Sequence, residues 1–297
     1  MPASIGTYLW TDHPANPLIE PPRPEWLLGD PTVLPPDLSP DGRWHLFANT
    51  LRGIHHYGSD DGLAWAVLQR RLFPGMRAFL VRGERYALVC ERVVAPWRSY
   101  VALRRSDDLF HWSDETLLVE PSLPWEGRFF RNCSCPCLAR IDGGWRLYYS
   151  AGMVFLRDCG FPEPKYIGVA ESERIEGPYI KRPEPIIAPS AADPWRNLGA
   201  GSLKVYREGD RWIGYNNGIY KDEHGTHSAI RLLTSPDGFG WTPAHDRPIV
   251  APAPGWKHSH VYAMDVVERG DERWLYYNAR DGWAVGSERI GLAIGKL

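Results

Sequence analysis

The sequence predicts an all-β protein, a five-bladed β-propeller with four antiparallel strands per blade. The first observation is a glycine-containing turn followed by an aromatic-rich strand, recurring five times: "DGRWHLFANT" (41–50), "RGERYALVCER" (82–92), "DGGWRLYYSAG" (142–152), "EGDRWIGYNNG" (208–218) and "RGDERWLYYNAR" (269–280). The second is a β-prone run before each turn, "PTVLP", "RAFLV", "PCLARI", "SLKVY" and "AMDVV", which turns each repeat into a hairpin. The third is a Ser-x-Asp turn leading to tryptophan after three of the hairpins, in "GSDDGLAW" (58–65), "RSDDLFHW" (105–112) and "TSPDGFGW" (234–241). One supersecondary unit per period is the mark of a radial array.

Each unit reads as strand A, turn, strand B, loop, strand C ending in Ser-x-Asp, and strand D starting at Trp. The anchors in strand B are Trp44, Tyr86, Trp145, Trp212 and Trp274. The third unit replaces the Ser-x-Asp element with "AESERIEGPY" (170–179). The fifth ends at "RIGLAIGKL", one strand short, and the N-terminal "IGTYLWTD" is expected to supply the missing outer strand. The expected extent is one domain over residues 1–297. A β-sandwich with an appendage is the competing architecture, and it accounts poorly for the five-fold spacing.

Composition agrees. With 14 Trp, 14 Tyr, 29 Gly and 27 Pro, short strands and turns are favoured over long helices, and no capped 3.6-periodic segment of a dozen residues is present. A formal net charge of −2 with dispersed arginines gives no electrostatic case for a nucleic-acid partner. No run approaches the roughly 20 apolar residues of a membrane span, so no membrane partner is expected. The start lacks a basic n-region and an apolar h-region, and five cysteines is an odd count, so free thiols and a cytoplasmic location are expected. None of the glycine-rich segments forms a phosphate or dinucleotide fingerprint, and no cofactor is expected.

In a blade the start of strand A, the end of strand B and the start of strand C share one face, where a ligand meets the central channel. Strand-A starts offer Asp30, Arg77, Arg131 with Asn132, Gly199 with Ser202, and His258 with His260; strand-B ends offer Asn49, Glu91, Ser150, Asn216 with Asn217, and Asn278 with Arg280 and Asp281. Glu91 follows an apolar strand, where partial desolvation suits a proton donor, although an ion pair at the rim with Arg92 or Arg131 is an equal alternative.

"DPTVLPPDLSPDGRWHLFANT", "IHHYGSDDGLAW" and "IGVAESERIEGPY" resemble the five-bladed propeller glycosidases, the superfamily of arabinanases, β-xylosidases, invertases and levansucrases, approximately from Trp26 to Leu297. The resemblance implies a base or nucleophile on the first inner strand in an Asp-Pro pair, a role that falls to Asp30 in "GDPTV"; a plain strand start is the alternative. It also implies acids on the third and fourth inner strands, where this chain has "RNCSCPC" and "NLGAGSLKV". The expected function is therefore glycosidase-like hydrolysis of a small glycoside or furanoside, with Asp30 and Glu91 catalytic. Asn49, Arg131, Asn132, Asn216, His258, His260, Arg280 and Asp281 would bind substrate. The alternatives are other metabolite chemistry in the same pocket (a lyase, isomerase or cyclase) or a non-catalytic sugar-binding propeller.

Cys133, Cys135 and Cys137 alternate, so on a regular strand all three point one way. Blade-to-blade packing is the main expectation, ahead of a reactive thiol or a metal site. A channel metal near His260 is a lesser expectation carried by the resemblance. "DEHGTH" (222–227) is expected in a long solvated loop that could overhang the pocket. Trp97, Trp125, Trp195, Trp256 and Trp283 fall in connections and are candidate sugar-stacking platforms.

Overall fold

The computed structural model describes residues 8–95 and 98–297, and these are all-β. Their helical pieces are two 3-10 turns, Pro36–Leu38 and Pro124–Glu126. Blade 1 comprises β2 (Gly29–Leu34), β3 (Trp44–Thr50), β4 (Gly53–Ser59) and β5 (Ala66–Gln69); blade 2 comprises β6 (Met76–Arg82), β7 (Tyr86–Ala95), β8 (Arg98–Ser106) and β9 (Thr116–Val119). Blade 3 is built from β10 (Cys133–Ile141), β11 (Gly144–Leu156), β12 (Phe161–Ser172) and β13 (Ile180–Lys181). Blade 4 is β14 (Leu203–Glu208), β15 (Arg211–Asp222), β16 (Gly225–Ser235) and β17 (Thr242–Pro243). Blade 5 is β18 (His260–Arg269), β19 (Glu272–Arg280) and β20 (Glu288–Lys296), completed by β1 (Leu9–Asp12), which pairs with β20 from Leu9↔Lys296 to Asp12↔Ala293. The N-terminal strand thus closes the ring as expected, over Leu9–Asp12; Ile5 to Thr7 lie outside the described residues.

Neighbouring strands within every blade are antiparallel, and one parallel pair, Ser228↔His260, links blades 4 and 5. The inner strands β2, β6, β10, β14 and β18 each pack on the next, and β18 packs back on β2. Asp265 on β18 fastens that last junction: its Oδ2 accepts from Thr32 Oγ1 at 2.7 Å and from the Val33 N–H at 2.8 Å, while Tyr206 of β14 donates to Oδ1.

All five anchor aromatics are buried, and they form the walls between blades. Trp44 stacks on Trp274 with centroids 5.7 Å apart, joining blades 1 and 5. The Ser-x-Asp motifs are one turn used three times. Ser59, Ser106 and Ser235 Oγ each accept from the N–H three residues on, at 2.9 Å, where Gly62, Leu109 and Gly238 have φ of 78°, 69° and 77°. Asp61, Asp108 and Asp237 then accept from the next backbone amides, and these bonds, led at Asp108 by the His111 side chain, pull each carboxyl below its ordinary range.

Three expectations are corrected. "DEHGTH" is not a long loop, because β15 and β16 run on as one hairpin to Asp222↔Gly225, and His227 is buried with Nδ1 2.8 Å from the Ser259 carbonyl. The three cysteines do not share a direction, because a bulge between Ser134 and Cys137 breaks the alternation. Cys133 lies by Lys181 and Glu126, Cys137 accepts from the Val205 N–H of blade 4 at 3.2 Å, and Cys135 faces the central cavity. The connection tryptophans Trp125, Trp195, Trp256 and Trp283 are absorbed by the fold, with the first, second and fourth donating to the carbonyls of Pro183, Asp246 and Thr226 and Trp256 lying over Tyr277. Trp97 lies outside the described residues.

Candidate active site

One irregularity recurs at the same point of four of the five inner strands. The register slips between Gly29 and Thr32, Met76 and Phe79, Ser134 and Cys137, and Val261 and Met264. The residues lifted out are Asp30, Arg77, Cys135 and Tyr262, and Gly201 occupies the corresponding place before β14. All five line one cavity of about 670 Å³. Asp30, Arg77, Cys135 and Gly201 share a left-handed backbone, with φ of 54°, 51°, 46° and 64°. At Gly201 a Cβ would meet the Asn217 carbonyl oxygen at 1.8 Å, so glycine is required there. At Asp30 and Arg77 the cost of a left-handed non-glycine residue is offset by bonds from second strands. Asn278 Oδ1 accepts from the Asp30 N–H at 3.1 Å, Asn49 Oδ1 from the Arg77 N–H at 2.6 Å, and Ser150 Oγ donates to the Gly201 carbonyl at 2.7 Å. In each case the second strand of one blade fixes the bulge of the next.

The cavity wall holds four carboxyl groups, Asp30, Glu91, Glu163 and Glu288, from blades 1, 2, 3 and 5. Arg77 Nη1 lies 2.6 Å from Glu91 Oε2, so Glu91 pairs with neither Arg92 nor Arg131. Arg280 approaches Glu288 Oε1 at 3.4 Å, and Asn278 donates to Glu288 Oε2 at 3.2 Å. Burial raises Asp30 above its ordinary value against the pull of Arg77 and Lys204. It pushes Glu163 up to about 8, with Arg77 opposing and Glu288 reinforcing, and Glu288 up to about 7, with Arg280 opposing and Asp30 reinforcing. Asp30, Glu163 and Glu288 therefore titrate as an interacting set.

Of the residues singled out from sequence, Asp30, Asn49, Glu91, Asn132 and Arg280 stand on the cavity wall. Five do not. Arg131 is turned outward, donating to the Pro121 carbonyl at 2.9 Å, and Asn216 is spent on the Ala200 and Ser202 carbonyls at 2.7 Å each. His258 is exposed against the edge of Trp283. His260 is fully buried behind the wall, its Nε2 3.8 Å from Cys159 Sγ, and burial holds its pKa down to about 3. Asp281 pairs with Arg289 at 2.7 Å and accepts from the Ser287 N–H. Among the described residues no group of three or more His, Cys, Asp or Glu is placed to hold a metal ion.

Sequence reasoning missed Glu163, Glu288, Tyr262 and Trp26. The first two begin third strands, whose starts share the cavity face; that rule, applied to "FPEPKY" and "SERIG", reaches both. Trp26, about half exposed, is the tryptophan on the cavity wall.

No protein-family model and no curated protein matches the chain. Solved structures do. An α-L-arabinofuranosidase from Podospora anserina in complex with cellotriose aligns at TM-score 0.69 and 15% identity over 98% of both chains. A GH62 hydrolase in complex with xylotriose aligns at 0.68 and 16%, covering 97% of this chain and 98% of that one. An N-acetylgalactosamine deacetylase from F. plautii in complex with blood group B trisaccharide aligns at 0.68 and 15%, covering 90% and 89%. The chain has the fold of the propeller-type glycoside hydrolases.

Proposed function

We propose that this protein is an enzyme acting on a glycoside by carboxyl acid–base chemistry, with Glu163 as proton donor and Asp30 as base or nucleophile. The observation that carries the reading is the gathering of four carboxyl groups in one cavity, where burial pushes one of them, Glu163, up to about 8. Glycoside cleavage needs that division of labour. Glu163 would give its proton to the leaving oxygen as the bond to the anomeric carbon breaks. Asp30 would attack that carbon, or activate the water that does, from the other face. Glu91, the acid expected from sequence, serves this scheme as the ion-pair partner that orients Arg77. The acids absent from the third and fourth inner strands are thus replaced by one at the start of a third strand. A cavity of about 670 Å³ with Trp26 at its wall suits a short saccharide. The reading requires no cofactor.

The test is a panel of aryl furanosides and pyranosides turned over by wild type, Asp30→Asn and Glu163→Gln. Both variants should lose at least about a hundredfold in kcat. Glu163→Gln should recover selectively on substrates whose leaving group needs no protonation. Turnover unaffected by either substitution removes the scheme, and absence of turnover with retained sugar binding favours the non-catalytic alternative.

A further inference from the structure

A second cavity, of about 190 Å³, is walled by Pro22, Arg23, Glu25, His55, Arg70 and Arg71. Its Glu25 is followed in the chain by Trp26 of the main cavity, and consecutive Cα atoms lie only about 3.8 Å apart. We propose that this is an anion subsite, which takes the phosphoryl or carboxylate group of a charged sugar whose ring occupies the main cavity. The inference rests on the glycoside reading and narrows its substrate class.

Charge is the first argument. Three arginines line the small cavity against one carboxylate, leaving an excess of two positive charges. Glu25 Oε1 is engaged by Arg52 at 3.1 Å and by Arg71 at 3.8 Å. Arg23 and Arg70 have no ion-pair or hydrogen-bond partner for their guanidinium groups among the described residues. Guanidinium forks match the oxygens of phosphate and carboxylate.

The second argument is a buried ring nitrogen without a hydrogen-bond partner. His55 is 2% exposed, and its Nδ1 has no hydrogen-bond partner. Its Nε2 lies 3.2 Å from Thr50 Oγ1, which itself accepts from the Arg52 N–H at 3.2 Å. In the tautomer in which the Thr50 hydroxyl donates to Nε2, the imidazole proton stands on Nδ1 without an acceptor. Burial keeps the ring neutral, aided by Arg70 and Arg71 and opposed by Glu25. A buried N–H on a cavity wall costs stability until something accepts from it, and an oxyanion does so.

Geometry is the third. The segment carrying Arg70 and Arg71 is strapped to β4, with the Leu72 N–H donating to the Ile54 carbonyl at 2.7 Å and the Ile54 N–H to the Phe73 carbonyl at 3.1 Å. Arg71 has a left-handed φ of 52°. At Gly53 a Cβ would lie 2.7 Å from the Phe73 carbonyl oxygen, so only glycine lets this strap close. The backbone that carries Arg70 and Arg71 is thus fixed before any ligand arrives. The volume of about 190 Å³ holds one phosphoryl or carboxylate group and a few waters, at roughly 30 Å³ per water.

The experiment is calorimetric titration of the full chain with inorganic phosphate, glucose 6-phosphate, glucuronate and glucose, on wild type and on R70A/R71A. One or both charged sugars should bind at least tenfold tighter than glucose and than phosphate alone. The preference should fall at least tenfold in the double variant and weaken with added salt. Arg23→Ala, on the opposite wall, should reproduce part of the loss, and thermal melts matching wild type show that folding is not the cause. Equal affinity for charged and neutral sugars, or a preference that survives R70A/R71A, overturns the proposal. So does binding of inorganic phosphate as tightly as of sugar phosphate. These readouts are binding, so they stand apart from the turnover assay: a protein with no glycosidase activity but an arginine-dependent preference for charged sugars would sink the catalytic reading and keep the subsite.

Discussion

Asn278, on the second strand of the last blade, accepts a hydrogen bond at 3.1 Å from the backbone N–H of Asp30, on the first strand of the first blade, and donates at 3.2 Å to Glu288. One amide thus spans the ring closure, holding the bulge that presents Asp30 and touching a second carboxyl of the cavity. Asn278→Ala should cost about 1–3 kcal/mol, because the buried N–H of Asp30 loses its acceptor. It should also lower kcat by more than that destabilisation explains, since the left-handed turn at Asp30 loses its fixing bond. Urea unfolding and single-turnover kinetics on the same preparation separate the two effects. A variant equal to wild type in kcat would show that the bulge needs no such support.

The raised carboxyls set a pH profile. Catalysis under the proposed scheme needs Glu163 protonated and Asp30 ionised. Activity should therefore fall as pH rises through about 8, where Glu163 loses its proton, and fall again in acid as Asp30 gains one above its ordinary carboxyl range. In Glu163→Gln the alkaline limb should vanish while the acid limb stays. A basic limb that persists in this variant assigns it to another group.

Stability depends on the same groups with a definite sign. Glu163 and Glu288 have folded-state pKa values above their unfolded ones, so the native state binds more protons between about 4.5 and 8, and their contribution to stability is lost as pH rises through that window. His260 behaves oppositely: depressed to about 3, it favours the folded state above its unfolded pKa and withdraws that support progressively as pH falls from about 6.5. Denaturant midpoints from pH 5 to 9 should show Glu163→Gln flattening the alkaline decline. An unchanged slope would mean the carboxyl is already ionised at neutral pH.

How much of this was legible beforehand can be read from particular residues. The blades were, because Trp44, Tyr86, Trp145, Trp212 and Trp274 repeat a local pattern whose burial between sheets is dictated by hydrophobicity and strand alternation. Asp30 and Glu91 were placed on the right wall by strand polarity alone. The bulges were not legible, since nothing in "NCSCPC" announces that Cys135 takes φ of 46° and leaves the line of Cys133 and Cys137. The outward turn of Arg131 toward Pro121 and the spending of Asn216 on two carbonyls are tertiary contacts that sequence periodicity does not encode.

The cysteines give the last prediction. All five are free and buried, at positions 90, 133, 135, 137 and 159, and burial raises every thiol, Cys135 to about 12 and Cys159 to about 11. The thiolate is the reactive form, so at pH 7 even the two that line the cavity offer almost none. Cys135 occupies the bulge position that carries Asp30 in blade 1 and Arg77 in blade 2, beside both, where an unreactive small side chain leaves room for substrate. Titration with an aromatic disulfide reagent should find no fast thiol in the native protein and five in guanidinium chloride. Cys135→Ser should keep turnover within about threefold, because no step of the scheme passes through sulfur. A fast native thiol that is protected by a sugar ligand, together with loss of turnover in Cys135→Ser, would instead make sulfur the nucleophile and displace Asp30 from that role.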